Sequence, residues 1–282
     1  MTSPLVSRGM DLVEPLRDLM VWTARLQHAP IPVLRDTADS LEAFRANEDM
    51  TDANGIGEMI SADPLMTLKV LAYESGHRGR SVVTSAETVT SALVMMGISP
   101  FFRAFGPQPT VEDWLADRPL ALAGLQSVLL RAHRGADFAL AFAVHRSDPD
   151  AAVIHAATLL HEFAEMLLWC HAPGLALRIQ QAQAADPELR SSAAQRQILH
   201  VELADLQRAL TSVWRLPALI AEVAAEGLPA GQTSARTVAL AARLARHTAH
   251  GWDNPAIPDD VAEIADLLNL SPAATLGLVS AI

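Results

Sequence analysis

The stretch IGEMISADPLMTLKVLAYES, residues 56–75, decides the fold because its apolar residues recur every three or four positions. That spacing places them on one face of an α-helix, whereas a strand would need strict alternation. Asp63 and Pro64 mark a helix start within the stretch, because Asp63 can accept hydrogen bonds from exposed amides and Pro64 loses nothing at the first helical position. The stretch therefore predicts a capped helix that runs through LMTLKVLAYES.

The same periodicity continues along the rest of the chain, and the alternation of β-branched residues that marks strands is absent. The sequence therefore predicts an all-α protein. Thr84 and Glu87 have the spacing of a capping box, and Gly97 is a stop signal for the helix that follows them. The other predicted helices cover about 10–27, 37–47, 119–146, 150–171, 174–185, 191–214, 217–226, 234–250, 259–268 and 272–282.

Length and linkers favour a single domain over residues 1–282. The chain has 282 residues with an apolar share of 50%, enough for a sizeable core. A proline-containing segment, GPQPTVEDW, separates two packed helical lobes, 1–110 and 111–282. No internal repeat or long flexible linker makes the lobes independent.

Charge and composition exclude several functional classes. The net charge of -11 opposes bulk affinity for nucleic acid or acidic lipid, since a negative body repels polyphosphate. The only cysteine, Cys170, rules out an internal disulfide and any multi-cysteine metal site. No run of roughly 18 uncharged apolar residues is present, so we predict a soluble, cytoplasmic protein without a membrane span.

An ordered series of segments resembles the HDOD family. The front half carries IPVLRDTADSLEAF (31–44), the 56–75 stretch with its family-like Asp-Pro and following Leu and Lys residues, and TVTSALVMMGISPFFRAF (88–105). The back half carries LLRAHRGADFALAFA (129–143), HAATLLHEFAEMLL (155–168) and SVWRLPALIAEVAAE (212–226). The resemblance covers about residues 30–270 and implies an all-helical globule similar to the HD-type phosphohydrolases.

The resemblance also assigns the positions of a metal site. Active HD hydrolases hold divalent metal through a His, a later His-Asp pair and a final Asp, and the metal activates a water. In this chain His133 takes the first position, His161 with Glu162 takes the pair, and Ala242 takes the last. Alanine supplies no donor atom, and the longer Glu162 side chain displaces its carboxylate. The resemblance thus implies vestigial metal-site positions, with no catalytic residue, no bound metal and no cofactor.

Three hypotheses for the function follow. The leading one is a non-catalytic regulatory module of bacterial signal transduction that acts through other signalling proteins or a groove-bound ligand. The alternative is a metal-dependent phosphohydrolase, a nucleotide phosphodiesterase that uses His133, His161 and Glu162. A third is a nucleotide or phosphate sensor, in which Arg236, Arg243 and Arg246 on one side of a helix contact a phosphate or an acidic partner. The sequence leaves homo-oligomerisation open.

Overall fold

The computed structural model describes residues 12–77, 86–225 and 233–282, which are helical without a β-strand. The first helices are α1 (Leu19–Leu26), α2 (Arg35–Ala46), α3 (Ala53–Ser61), α4 (Pro64–His77), α5 (Val89–Met96), α6 (Ile98–Ala104) and α7 (Val111–Trp114). The next are α8 (Pro119–His145), α9 (Ala151–Leu159), α10 (Phe163–His171), α11 (Pro173–Ala185), α12 (Ser191–Leu199) and α13 (Leu203–Trp214). The last are α14 (Ala218–Ala224), α15 (Thr233–His247), α16 (Ile257–Leu268) and α17 (Pro272–Val279). The all-α prediction is confirmed.

Helix α4 begins at the Asp63–Pro64 signal. One carboxylate oxygen of Asp63 accepts hydrogen bonds from the amides of Leu65 at 2.9 Å and Met66 at 3.1 Å. Its second oxygen accepts from the amide of Leu34 at 2.8 Å, which precedes α2. The buried aspartate therefore caps α4, as predicted, and also fixes the start of a second helix.

Two predicted helix starts were wrong. Helix α1 begins at Leu19 and not near residue 10, because the carboxylate of Asp18 accepts a hydrogen bond from the amide of Val21 and caps the helix there. Helix α5 is capped by a reciprocal pair formed by Thr88 and Ser91. Thr84, half of the predicted capping box, lies outside the described residues. The predicted stop at Gly97 is confirmed, with a φ of 80° that favours glycine.

Two long predicted helices are each divided. A turn at residues 160–162 separates α9 from α10, and a break at residues 200–202 separates α12 from α13. At the second break His200 adopts a left-handed conformation with φ 65° and ends α12. Neither break contains glycine or proline, so the sequence held no strong signal for either. The first break carries the His161–Glu162 pair.

One segment, Ala151–His171, is long and apolar enough to cross a membrane by composition. It contains the turn at 160–162, and 61% of its most apolar window is buried inside the protein. This is the pattern of core helices in a soluble protein.

The chain forms two compact units. The first comprises the described parts of Met1–Val128 with Phe163–Leu216, and the second Leu129–Glu162 with the described parts of Pro217–Ile282. The predicted lobes, 1–110 and 111–282, divide the chain once, whereas the two units take alternating segments of it. Helix α8 contributes its start to the first unit and its remainder to the second.

Buried tryptophans link helices of the first unit. The indole of Trp22 donates to the carbonyl of Leu199 at 3.0 Å, and that of Trp114 donates to the carbonyl of Cys170 at 2.9 Å. Trp169 lies so close to Gly124 on α8 that a Cβ built there would come within 2.3 Å of its ring. Glycine at this position therefore permits a close helix approach.

The second unit is built around α15, which contacts α9, α14 and α16, while α16 contacts α17. Its core includes Phe138, Phe142, Ile154, Leu244 and Ile264, all fully buried. All four positions of the predicted metal site belong to this unit.

Candidate functional site

The four predicted metal-site positions lie on three elements of the second unit. His133 is on α8, His161 and Glu162 are in the turn between α9 and α10, and Ala242 is on α15. The turn arises because the amide of His161 bonds to the carbonyl of Thr158 at 3.1 Å, which tightens the end of α9. The turn therefore carries two adjacent polar side chains at the end of the largely buried helix α9.

Ala242 lies at a close contact between helices. A Cβ built on Gly135 of α8 would come within 3.4 Å of the Thr158 methyl group, 3.5 Å of the Ala245 Cβ and 3.6 Å of the Ala242 Cα. Ala242 is itself only 7% exposed. Small side chains thus fill the junction of α8, α9 and α15 around Ala242, the position that the resemblance assigned to the last metal ligand.

Glu162 is held between two arginines. Its Oε2 accepts a hydrogen bond from Nε of Arg131 at 2.6 Å, and its Oε1 accepts from Nη2 of Arg246 at 2.8 Å and from Nε of the same residue at 3.3 Å. The Glu162 side chain is 14% exposed. Burial raises the pKa of this carboxyl, but Arg131 and Arg246 outweigh burial and the pKa is lowered. Glu162 is therefore a buried, ionised carboxylate with both oxygens in charge-assisted bonds.

The pKa values of two histidines at the site, His161 and His155, are lowered. Burial is the main cause that lowers the pKa of His161; the charge of Glu162 opposes it, while Arg246 and Arg131 add to it. Burial also lowers the pKa of His155 on α9, which lies within electrostatic reach of Asp137 and His133 on α8. A neutral imidazole is the form that binds a metal, so protonation does not prevent these groups from acting as ligands.

The donor set nevertheless does not fit a catalytic divalent metal. Among residues 12–77, 86–225 and 233–282, no group of three or more His, Cys, Asp or Glu side chains is placed to hold a metal ion. A cation at Glu162 would have to displace two guanidinium groups, whose positive charges repel it. Ala242 supplies no oxygen or nitrogen donor in compensation.

The three arginines predicted to contact phosphate are each placed beside an acidic side chain. Arg236 pairs with Asp266 of α16 at 2.8 Å, and Arg246 pairs with Glu162. Arg243 lies 2.7 Å from both Asp260 and Glu263 of α16. These counter-charges reduce the attraction of α15 for a phosphate, and a phosphate contact there stays a prediction.

Asp260 is a buried group that the sequence reasoning missed. Its side chain is 3% exposed; one oxygen is hydrogen-bonded to Nδ1 of His247 at 2.5 Å, and the other forms an ion pair with Arg243, 2.7 Å from its Nε. Both partners lie on α15, so the carboxylate fixes the start of α16 against that helix. The only signal in the sequence is an acidic residue in the first turn of a helix, which is too common to single out.

Comparisons with known proteins are consistent with this architecture. The family model described as HDOD domain matches residues 31–227. The solved structure of the response regulator MmoQ from Methylococcus capsulatus has a TM-score of 0.65 at 16% identity, covering 90% of this chain and 99% of that one. A virulence factor from Campylobacter jejuni has a TM-score of 0.63 at 15% identity, covering 92% of each chain. An HDOD domain protein of unknown function from Geobacter sulfurreducens has a TM-score of 0.50 at 13% identity, covering 94% of this chain and 95% of that one.

No curated protein matches the chain in sequence. These three solved structures are each below 20% identical to the chain, and their similarity establishes the helical fold.

Proposed function

The chain belongs to the HDOD domain family, and from this premise we propose that it is a non-catalytic, cytoplasmic regulatory module of signal transduction. It acts by binding other proteins. The observation that carries the proposal is the carboxylate of Glu162, both oxygens of which are occupied by Arg131 and Arg246. The two guanidinium groups supply the positive charge that a metal ion supplies beside the equivalent carboxylate of an HD hydrolase.

Two further observations support this function. Ala242 sits in a close helix contact, so the fourth ligand position serves packing. One protein with the same fold is named a response regulator, which associates this architecture with signalling in at least that case. A regulatory role needs a stable helical body and an accessible surface, and it makes no demand on the vestigial site.

Metal content and turnover test the proposal together. The full chain is purified without chelator, its metals are measured by elemental analysis, and hydrolysis of bis(p-nitrophenyl) phosphate is followed with added Mn²⁺ or Mg²⁺. We expect well under one metal ion per chain and no turnover above that of buffer. His161→Ala should change neither result, because no reaction passes through that residue.

The matched control is Arg196→Ala, which breaks an exposed ion pair with Glu202 remote in sequence from the site. The alternative hypothesis, a metal-dependent hydrolase, predicts the opposite results. One or more metal ions per chain, with turnover that disappears in His161→Ala and persists in Arg196→Ala, would overturn the non-catalytic assignment.

A further inference from the structure

A groove of about 760 Å³ opens in the second unit along α16, α17 and the loop that precedes α16. It lies beyond residues 31–227, the part of the chain that the family model matches. Its polar lining is confined to a few groups, among them Asp253 and Ser280. The apolar wall consists mainly of Trp252, Pro255, Ile257, Val261, Pro272 and Leu276.

Trp252 lies at this groove, and its ring is held in place by a neighbouring arginine. Its ring is 37% exposed, and the guanidinium of Arg134 lies 5.5 Å from the ring centroid. Arg134 is itself fixed, because it donates to the carbonyl of Thr248 at 2.9 Å and stacks on Phe138 at 5.4 Å. An exposed tryptophan held by a cation–π contact loses little conformational freedom when a partner covers it.

The segment that lines the groove carries acidic side chains and no basic ones. Residues 251–282 contain five acidic side chains and no Lys, Arg or His. Asp260, Glu263 and Asp266 pair with arginines of α15. Asp253 and Asp259 are exposed and form no ion pair with any described residue. Asp253 lines the groove, and Asp259 follows the lining residue Pro258. These two unpaired carboxylates outweigh the guanidinium of Arg134 beside Trp252, so the groove favours a positively charged occupant.

We propose that the groove binds an amphipathic helix of a partner protein, which presents an apolar stripe flanked by lysine or arginine side chains. Helices of this kind insert apolar residues spaced at i, i+3 or i+4, and i+7 into hydrophobic grooves. The apolar wall and Trp252 receive the stripe, and Asp253 and Asp259 face the basic flank. A second copy of this chain suits the groove poorly, since each copy carries a net charge of -11.

This inference rests on the proposed regulatory function, since it names the class of partner that the protein binds. The experiments that test the inference and the proposed function are nevertheless independent. Binding of a peptide at Trp252 tests the groove, whereas metal content and turnover test the vestigial site. If the groove bound no helix, the prediction that the protein does not hydrolyse phosphodiesters would still stand.

The probe is a synthetic amphipathic peptide of about 18 residues, with leucines on one face, lysines on the other and no tryptophan. A second peptide keeps the leucines and replaces every lysine with glutamate. Trp252 is the most exposed tryptophan of the chain, so its fluorescence reports on the groove. We expect saturable binding of the lysine peptide with a blue shift of emission, and affinity for the glutamate peptide weaker by about tenfold or more.

Variants separate the groove from general electrostatic attraction. Trp252→Ala should abolish the blue shift and weaken binding measured by calorimetry by about tenfold. Asp253→Asn with Asp259→Asn should weaken binding of the lysine peptide several-fold and reduce its salt dependence. The control is Leu140→Ala, which removes a similarly exposed apolar side chain on α8 outside the groove and should leave binding unchanged.

Four results would overturn the proposal. Equal affinity for both peptides, or full affinity in Trp252→Ala, would show that the groove does not select a basic helix. Light scattering that detects a dimer in the parent chain and a monomer in Trp252→Ala would assign the groove to self-association. Saturable binding of a small apolar dye that neither peptide displaces would assign it to a small ligand.

Discussion

Arg131 and Glu162 form a partly buried ion pair, and the effect of its removal on stability can be estimated. The two side chains are 18% and 14% exposed and lie 2.6 Å apart. Removing one member of a fully buried pair costs roughly 3–5 kcal/mol, whereas an exposed pair contributes about 0.2–1 kcal/mol. Glu162 keeps Arg246 when Arg131 is lost, so we expect Arg131→Met to reduce the free energy of unfolding by about 2 kcal/mol.

The assay is urea denaturation followed by circular dichroism and tryptophan fluorescence in a double-mutant cycle. Arg131→Met, Glu162→Gln and their combination should give a coupling free energy of about 1–2 kcal/mol. The exposed pair Arg196 and Glu202 provides the reference cycle, with an expected coupling below about 0.5 kcal/mol. A coupling at Glu162 no larger than that reference would refute the argument that this carboxylate is held by buried charge.

The pH dependence of the same pair has a definite sign. The pKa of Glu162 in the folded protein lies below its ordinary value of 4.5, because the two arginines outweigh the effect of burial. The stabilisation is therefore complete above pH 4.5 and is lost as the pH falls through the folded pKa. Glu162→Gln cannot titrate, so the variant and the parent chain should converge in stability towards low pH.

Three further predictions concern stability alone. Gly124→Ala should lower the free energy of unfolding by about 1–3 kcal/mol, because the added Cβ collides with the ring of Trp169. Gly277→Ala should raise the free energy of unfolding by up to about 1 kcal/mol, because there is open space around this position in α17. Both changes are measured by urea denaturation. Burial lowers the pKa of His171 to about 4. The unfolded state therefore takes up a proton first as the pH falls, and the free energy of unfolding of the parent chain should decrease by up to about 3 kcal/mol between pH 6.5 and 4. Denaturation at a series of pH values should show a weaker pH dependence of stability in His171→Gln. His200→Gly should raise the free energy of unfolding by about 0.5–1 kcal/mol, because glycine adopts the left-handed conformation without strain. The urea midpoint should rise accordingly, and an unchanged midpoint would contradict this prediction.

Local signals in the sequence predicted much of the fold. The Asp63–Pro64 start and the Gly97 stop act over a few residues, and both are where the sequence places them. The turn at 160–162 was missed because its residues are compatible with a helix. Its position depends on the helices that flank it, and tertiary packing overrides local propensity at such sites.

The resemblance assigned positions to the candidate site, which stay a prediction, and it gave no indication of the charge pairing at Glu162. Resemblance placed His161 and Glu162 side by side, and it placed Ala242 where a ligand is lost. The arginines that hold Glu162 lie 31 and 84 residues away along the chain, and nothing in their local sequence distinguishes them from surface arginines. Long-range charge pairing of this kind follows from the folded arrangement of α8, α15 and the turn.

The order in which segments of the chain contribute to the two compact units restricts how the protein can be truncated. The boundaries at 128/129, 162/163 and 216/217 mean that the polypeptide passes from one unit to the other three times. A truncation at any single point leaves at least one unit without some of its helices. Genetic fusions and minimal expression fragments must therefore retain the chain as a whole, and insertion of a reporter is better directed to an exposed loop than to a unit boundary.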